Sequence, residues 1–213
     1  MKRFIYLIIS ILALLCSCED AANNYRYPSV ISDFACLVTD GNGQPELLRL
    51  DNGQVYPISF SDEYDTSSTY SPDTVYRVIG IYELGADNTA HVYSMSEVLS
   101  LVPIHLNEGE ALKQAPSFLQ SCWLSGAYLN MTIELKALNS MHIIGFIDTT
   151  PKDMQGKEFC FYHDANGDIE SHRRKLYASI PLSPFASELH QGDTLRLVIN
   201  EYDKGITRYE FVL

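Results

Sequence analysis

Asp164, Asn166, Asp168 and Glu170 put four oxygen-bearing side chains on alternate positions of one short stretch, DANGDIE. Hard cations such as calcium take carboxylate and amide oxygens in that kind of alternation. A helix–loop–helix calcium loop also needs glycine at its sixth position and a bidentate glutamate at its twelfth. Those positions hold Ile169 and Lys175. Asn166-Gly167 is equally a hairpin-turn signal, because both residue types tolerate positive φ. The turn accounts for these residues, and Asp164, Asn166 and Asp168 remain a weak cation-site candidate beside it.

The histidines, at 91, 105, 142, 163, 172 and 190, include no pair spaced four apart. That spacing would set two imidazoles on one helical face around zinc. His142 falls on the polar side of its expected strand and reads as a satisfied or exposed side chain. No G-x-S-x-G elbow, P-loop or dinucleotide glycine pattern is present. Carboxylates are too frequent for sequence spacing to single out an acid/base pair, which is defined by separation in space. The chain therefore reads as non-enzymatic and without a cofactor. Tyr64 and Tyr70 lie in the polar stretch SDEYDTSSTYSPD, where their rings could stack on a sugar or a partner. Trp123, the one tryptophan, reads as a packing residue with a ligand platform as the alternative.

The most specific chemistry is at the N-terminus. Lys2 and Arg3 precede an apolar run over residues 4–15. That run is too short to cross a hydrocarbon core of about 30 Å and has the form of a secretory signal. Leu15-Cys16-Ser17-Cys18 resembles the bacterial lipobox, with leucine at −3, a small residue at −1 and cysteine at +1. By that resemblance residues 1–17 are a lipoprotein signal peptide and Cys18 becomes the lipidated first residue. Several acyl chains on one residue give stable membrane anchoring. Glu19 and Asp20 resemble the export signal of surface lipoproteins in Bacteroidetes, which implies an outer-membrane protein facing outward. Residues 18–29 are polar and read as a tether.

The chain carries 15 basic and 27 acidic residues, a net charge of −12. Such a surface repels phosphate backbones, and no basic patch suits nucleic acid. Arg173-Arg174-Lys175 reads as a solvated loop. Cys36, Cys122 and Cys160 follow the lipidated cysteine. Three is an odd number for a disulfide framework; free, buried thiols are the preferred reading, with a Cys122–Cys160 bridge left open.

The elements that must position these groups are strands. From Val30 to Ile104, short alternating segments are separated by turn signals such as Asp40-Gly41-Asn42-Gly43 and Asp51-Asn52-Gly53. Five such strands suggest a small OB-like barrel over residues 30–105. Residues 106–117 contain Gly109 and Pro116 and read as a linker, with one helical turn near 110–114. The second half resumes the alternation. Leu129, Met131, Ile133 and Leu135 face one way, and Asn130, Thr132 and Glu134 the other. About seven strands predict an immunoglobulin-like β-sandwich over 118–213, so the fold class is all-β.

The CSCED region, LLRLDNGQVYPI, SFLQSCWLSGAYLNMTIEL, FCFYHDANGD, LYASIPLSP and GDTLRLVINEY together resemble the NigD-like lipoproteins of Bacteroidetes. The resemblance implies an N-terminal OB-like domain and a C-terminal β-sandwich, and it carries no catalytic residues. The expectation is a lipid-anchored, non-catalytic binding or structural module for another envelope protein or a glycan. A cell-surface hydrolase acting on glycans or peptides is the alternative. A self-protection role beside a bacteriocin-type system rests on the family name.

Overall fold

The computed structural model describes residues 29–61 and 70–213. Cys18, Tyr64 and all but the last residue of the expected tether lie outside them. Strands β1 (Ile31–Thr39), β2 (Pro45–Leu50), β3 (Val55–Phe60), β4 (Val75–Leu84) and β5 (Ala90–Glu97) form a closed barrel in the order β1-β2-β3-β5-β4. β3 and β5 run parallel; the other pairs are antiparallel. This is the five-stranded OB-like barrel that the strand count predicts. At the first hairpin the Asp40 carboxylate accepts the N–H groups of Asn42 and Gln44, each at 2.8 Å.

Closure gives each strand an inner and an outer face. Ala35, Leu37, Leu48, Val78 and Tyr82 pack inside the barrel. Phe34 and Cys36 point outward from β1, yet each is only 3% exposed. The second unit covers that face, so β1 is buried on both sides over residues 34–37.

The second unit is a β-sandwich of two four-stranded sheets. One joins β6 (Leu99–Ser100), β11 (His172–Pro181), β8 (Tyr128–Ala137) and β7 (Phe118–Ser125), in that order. The other joins β13 (Gly205–Val212), β12 (Thr194–Glu201), β10 (Gly156–Asp164) and β9 (Ile143–Asp148). The predicted inward set of β8 lines the core: Leu129, Met131, Ile133 and Leu135 are at most 5% exposed. They meet Phe146, Phe159, Phe161, Leu195 and Leu197 from the facing sheet. An immunoglobulin sandwich is built of antiparallel sheets. Here β12 runs parallel to β10, and β6 parallel to β11.

The structure departs from the expected boundary at 105 and linker over 106–117. β5 ends at Glu97 and β6 begins at Leu99, already paired to β11 of the sandwich. Residues 101–116 form a strap that is bonded to the sandwich at its two ends, around residues 101–104 and 113–115. Ile104 bridges Ile147 at the free side of β9, Gln114 bridges His163, and Ser117 bridges Glu201. The strap's apolar residues lacked strand spacing because single bridges, not a ladder, hold them. The helical turn expected near 110–114 is replaced by a turn in which Glu110 N–H donates to the Asn107 carbonyl at 3.0 Å. Arg173-Arg174-Lys175 is strand, not loop. The Arg173 guanidinium lies 3.9 Å from the Phe118 ring centroid, and that ring stacks on Tyr202.

Cys36, Cys122 and Cys160 are all free thiols. Cys122 is on β7, whereas Cys160 belongs to a small cluster with Ile147 and Val198 on the opposite sheet. Burial pushes both thiols up to about 12. Iodoacetamide at about pH 8 should therefore leave both unlabelled in the folded chain and label both after denaturation. Peptide mapping by mass spectrometry reads the result; prompt labelling of the native chain would contradict this burial.

Candidate functional site

The strap and β9 together frame a groove of about 460 Å³. Leu101, Val102, Ile104 and Leu106 line it from the strap, and Ile143, Ile144 and Tyr162 from the sheet. Several of these side chains face water: Ile104 is 63% exposed, Ile143 54% and Val102 47%. Met141, just before β9, is 82% exposed. Scattered apolar side chains on a surface are ordinary, but a contiguous set along a groove marks an interaction site.

The backbone of β9 adds a second feature. β9 is the last strand of its sheet, and among the described residues only Ile104 pairs with its outer side. Ile104 N–H donates to the Phe146 carbonyl at 3.0 Å, and Asp148 N–H donates to the Ile104 carbonyl at 2.9 Å. Backbone groups alternate sides along a strand, so the peptide groups of Ile144 face the same outer side, beyond the reach of that single bridge.

A polar pocket of about 510 Å³ adjoins the groove. Adjacent residues divide the two: Ile104 and Ile147 line the groove, while His105 and Asp148 line the pocket. Lys157 stands between Asp148, at 3.2 Å, and Glu188, at 2.7 Å. Burial alone would raise the Asp148 pKa, but donors from Thr150 and Lys157 outweigh it and hold the carboxyl below its usual range. Asp193 is held down by the His190 N–H and the Gln155 amide. A general acid needs a carboxyl raised toward neutrality, and these two are driven the other way.

At the other end of the groove, three ionisable side chains form a chain. His163 Nδ1 lies 2.9 Å from the Ala115 carbonyl of the strap. His163 Nε2 lies 2.8 Å from His142 Nδ1, and His142 Nε2 lies 3.2 Å from Asp168 Oδ2. Asp168 also accepts the N–H groups of Leu138, at 2.8 Å, and Asn139, at 3.3 Å. Burial would raise its pKa; the backbone donors of Leu138, Ser140 and Asn139 and the His142 ring outweigh that and hold it well below the usual range. Asp164 instead takes Lys113 and the Asn166 N–H. The carboxylates of the weak cation candidate thus face protein donors, and among the described residues no cluster of His, Cys, Asp or Glu is placed to hold a metal ion. Asn166 and Gly167 do take positive φ, 50° and 72°. Their turn, however, carries the chain from one sheet to the other, not between hairpin partners.

The other predicted residues lie elsewhere. The Trp123 ring meets Phe34 edge-on at 5.1 Å, packed between sandwich and barrel. Tyr70 packs on Tyr76 and the barrel cluster. The sequence reading missed Arg77 on β4, whose side chain is 1% exposed. Arg77 holds Asp51 through both terminal guanidinium nitrogens, with Nη2 2.7 Å from Oδ2. It also donates to Asn130 at 2.9 Å and lies 4.0 Å from the Tyr128 ring centroid. A lone arginine within YRVIGIY was the available signal; its partners are 26 and 53 residues away.

A family model for the NigD-like C-terminal beta sandwich domain matches residues 100–213. Among solved structures, a NigD-like immunity protein from Bacteroides caccae is 28% identical with a TM-score of 0.69, covering 88% of this chain and 99% of its own. A protein from Parabacteroides distasonis described as toxin-related is 21% identical, with a TM-score of 0.64 and coverages of 86% and 93%. A chain from Bacteroides fragilis described as a lipoprotein is 9% identical, with a TM-score of 0.58 and coverages of 86% and 97%. The last two likenesses speak to the fold alone. No curated protein matches the sequence.

Proposed function

Because this chain belongs to the NigD-like family, we propose that it is a lipid-anchored, non-catalytic binding protein of the cell envelope, displayed outward from the outer membrane through Cys18. Its partner is an extended, apolar and basic segment of another envelope protein. The observation that carries this reading is the outer edge of β9, bridged among the described residues only by Ile104 and open around Ile144, lying along the apolar groove. A peptide added to a sheet edge gains main-chain hydrogen bonds, and side-chain pockets beside the edge give specificity. The net charge of −12 favours a basic partner. The apolar lining suits a peptide better than a glycan. The B. caccae relative is called an immunity protein; a segment of a toxin is one partner of the proposed chemistry.

Peptide selection from a random display library against the full chain tests the docking reading. Selected peptides should alternate apolar and basic residues and bind Ile143→Asp at least about tenfold more weakly, the loss of one buried anchor. Peptides indifferent to Ile143→Asp would overturn it. Protease added to intact cells should remove the native chain, and Cys18→Ala should release it from the membrane. Protection of the native chain would place it on the periplasmic side, and retention of the variant would refute the anchor.

A further inference from the structure

The chain Asp168–His142–His163–Ala115 cannot be satisfied by neutral rings. Its three hydrogen bonds need three protons. The Ala115 carbonyl and the Asp168 carboxylate are both acceptors, and a neutral imidazole carries one N–H. Two neutral rings supply two protons, so one bond would set two lone pairs face to face. An uncompensated buried acceptor is costly, and the His142 and Asp168 side chains are only 6% and 4% exposed, with His163 2% exposed.

We propose that this chain holds one additional proton, and that the proton latches the strap at Ala115, so that the groove wall loosens as pH rises and the proton leaves. This rests on the groove as the docking site and adds its regulation. The arrangement assigns the proton to His142: Nε2–H donates to Asp168, Nδ1–H to His163 Nε2, and His163 Nδ1–H to Ala115. Burial and the His142 charge keep the His163 pKa below its usual value against the pull of the Ala115 carbonyl, which makes His163 the neutral partner. The other charged groups around the chain are already engaged. Asp164, the last residue of β10, pairs with Lys113 of the strap. Arg174 of β11 donates to the Leu138 carbonyl at 2.6 Å.

The direction follows from linkage. The three hydrogen bonds are complete only with the extra proton bound, and an ordinary histidine sheds its proton at about pH 6.5. The latch is therefore complete below that pH and is lost as pH rises through the release of the network. The strap remains attached by its backbone bonds to His163, Lys113 O accepting at 2.9 Å and Ala115 N–H donating at 2.8 Å. Once the proton leaves, His142 keeps Nε2–H on Asp168, and neutral His163 can hold either His142 through Nε2–H or Ala115 through Nδ1–H. The Ala115 bond is then made only part of the time, which loosens one wall without unfolding the sandwich.

Two measurements on the full chain between about pH 5 and 9 test this. Long-range proton–nitrogen NMR should find both His142 nitrogens protonated at the acid end and His163 as the Nδ1–H tautomer. Hydrogen exchange of the strap amides over residues 113–115, corrected for intrinsic rate, should quicken by about tenfold or more as the network releases its proton. His142→Phe, which has no proton to release, should remove that step. Lys113→Met should quicken exchange at every pH and keep the step. Two neutral rings at the acid end, or exchange without a step, would overturn the latch. Binding of the selected peptides is read separately. Peptides that respond to Ile143→Asp, with no exchange step, leave docking standing and sink the latch. An exchange step that leaves peptide affinity unchanged limits the latch to the strap and refutes its control of the groove.

Discussion

Replacing Arg77 by methionine should lower the unfolding free energy by about 3–5 kcal/mol, the cost of breaking a buried pair from one side. Methionine fills much of the same volume, so the loss is chiefly electrostatic. Asp51 would keep its charge with a side chain only 9% exposed, and among the described residues the remaining side-chain donor is Asn130, at 3.5 Å. Ser179 and Asn130 would also lose the guanidinium that ties both to the barrel. Because Arg77 and Asp51 belong to the barrel and Asn130 and Ser179 to the sandwich, the damage falls on the joint between them. Trp123 sits at that joint against Phe34 and is the chain's one tryptophan. Its fluorescence should change at lower urea than the far-ultraviolet dichroism. The double variant Arg77→Met with Asp51→Leu should recover most of the loss, since a well-packed apolar pair can replace a buried ion pair at little cost. Coincident transitions and a loss below about 1 kcal/mol would show that the pair is not what joins the two units.

Gly156→Ala should be nearly as damaging, through backbone sterics instead of charge. Gly156 opens β10 at a φ of +116°, and an added Cβ would stand 2.0 Å from the Thr194 carbonyl oxygen. Thr194 is its register partner in the parallel β10–β12 pair, so neither backbone can yield without shifting the ladder. Strain and overlap together should cost at least about 3 kcal/mol. For a chain of this size that corresponds to a fall of about 6–12 °C in Tm, read by calorimetry. Gly167→Ala is the matched control. Its φ is +72°, and an added Cβ meets nothing within 4 Å, so the left-handed backbone alone sets a cost of about 1 kcal/mol. Equal losses at the two positions would refute the close approach at Gly156.

The same residues show why the fold was more legible than the site. Leu129, Met131, Ile133 and Leu135 repeat every second position, and the period announces a strand with one face in a core. Asn130 shares that strand, and its polar side chain reads as solvent-facing. It is fully buried, because the barrel covers that end of the outer face. Burial by a second domain leaves no period in the sequence, so Arg77, Asp51 and Asn130 looked like separate surface or turn residues. His142, His163 and Asp168 were all visible as residue types. What joins them is the packing of a loop, a strand end and a turn, and no spacing rule encodes it. The groove was hidden for a related reason: the strap reads as a linker because only isolated bridges anchor it.

Val98 is the single residue between β5 of the barrel and β6 of the sandwich, and its N–H donates to the Arg77 carbonyl at 2.8 Å. In evolutionary terms, this sets where the protein can be divided. A sandwich cut at 106 would forfeit β6 and the first part of the strap, and with them one wall of its groove. A cassette that exchanges barrels while keeping the binding surface must therefore be joined at Val98, and the incoming barrel must bring its own counterpart to Arg77.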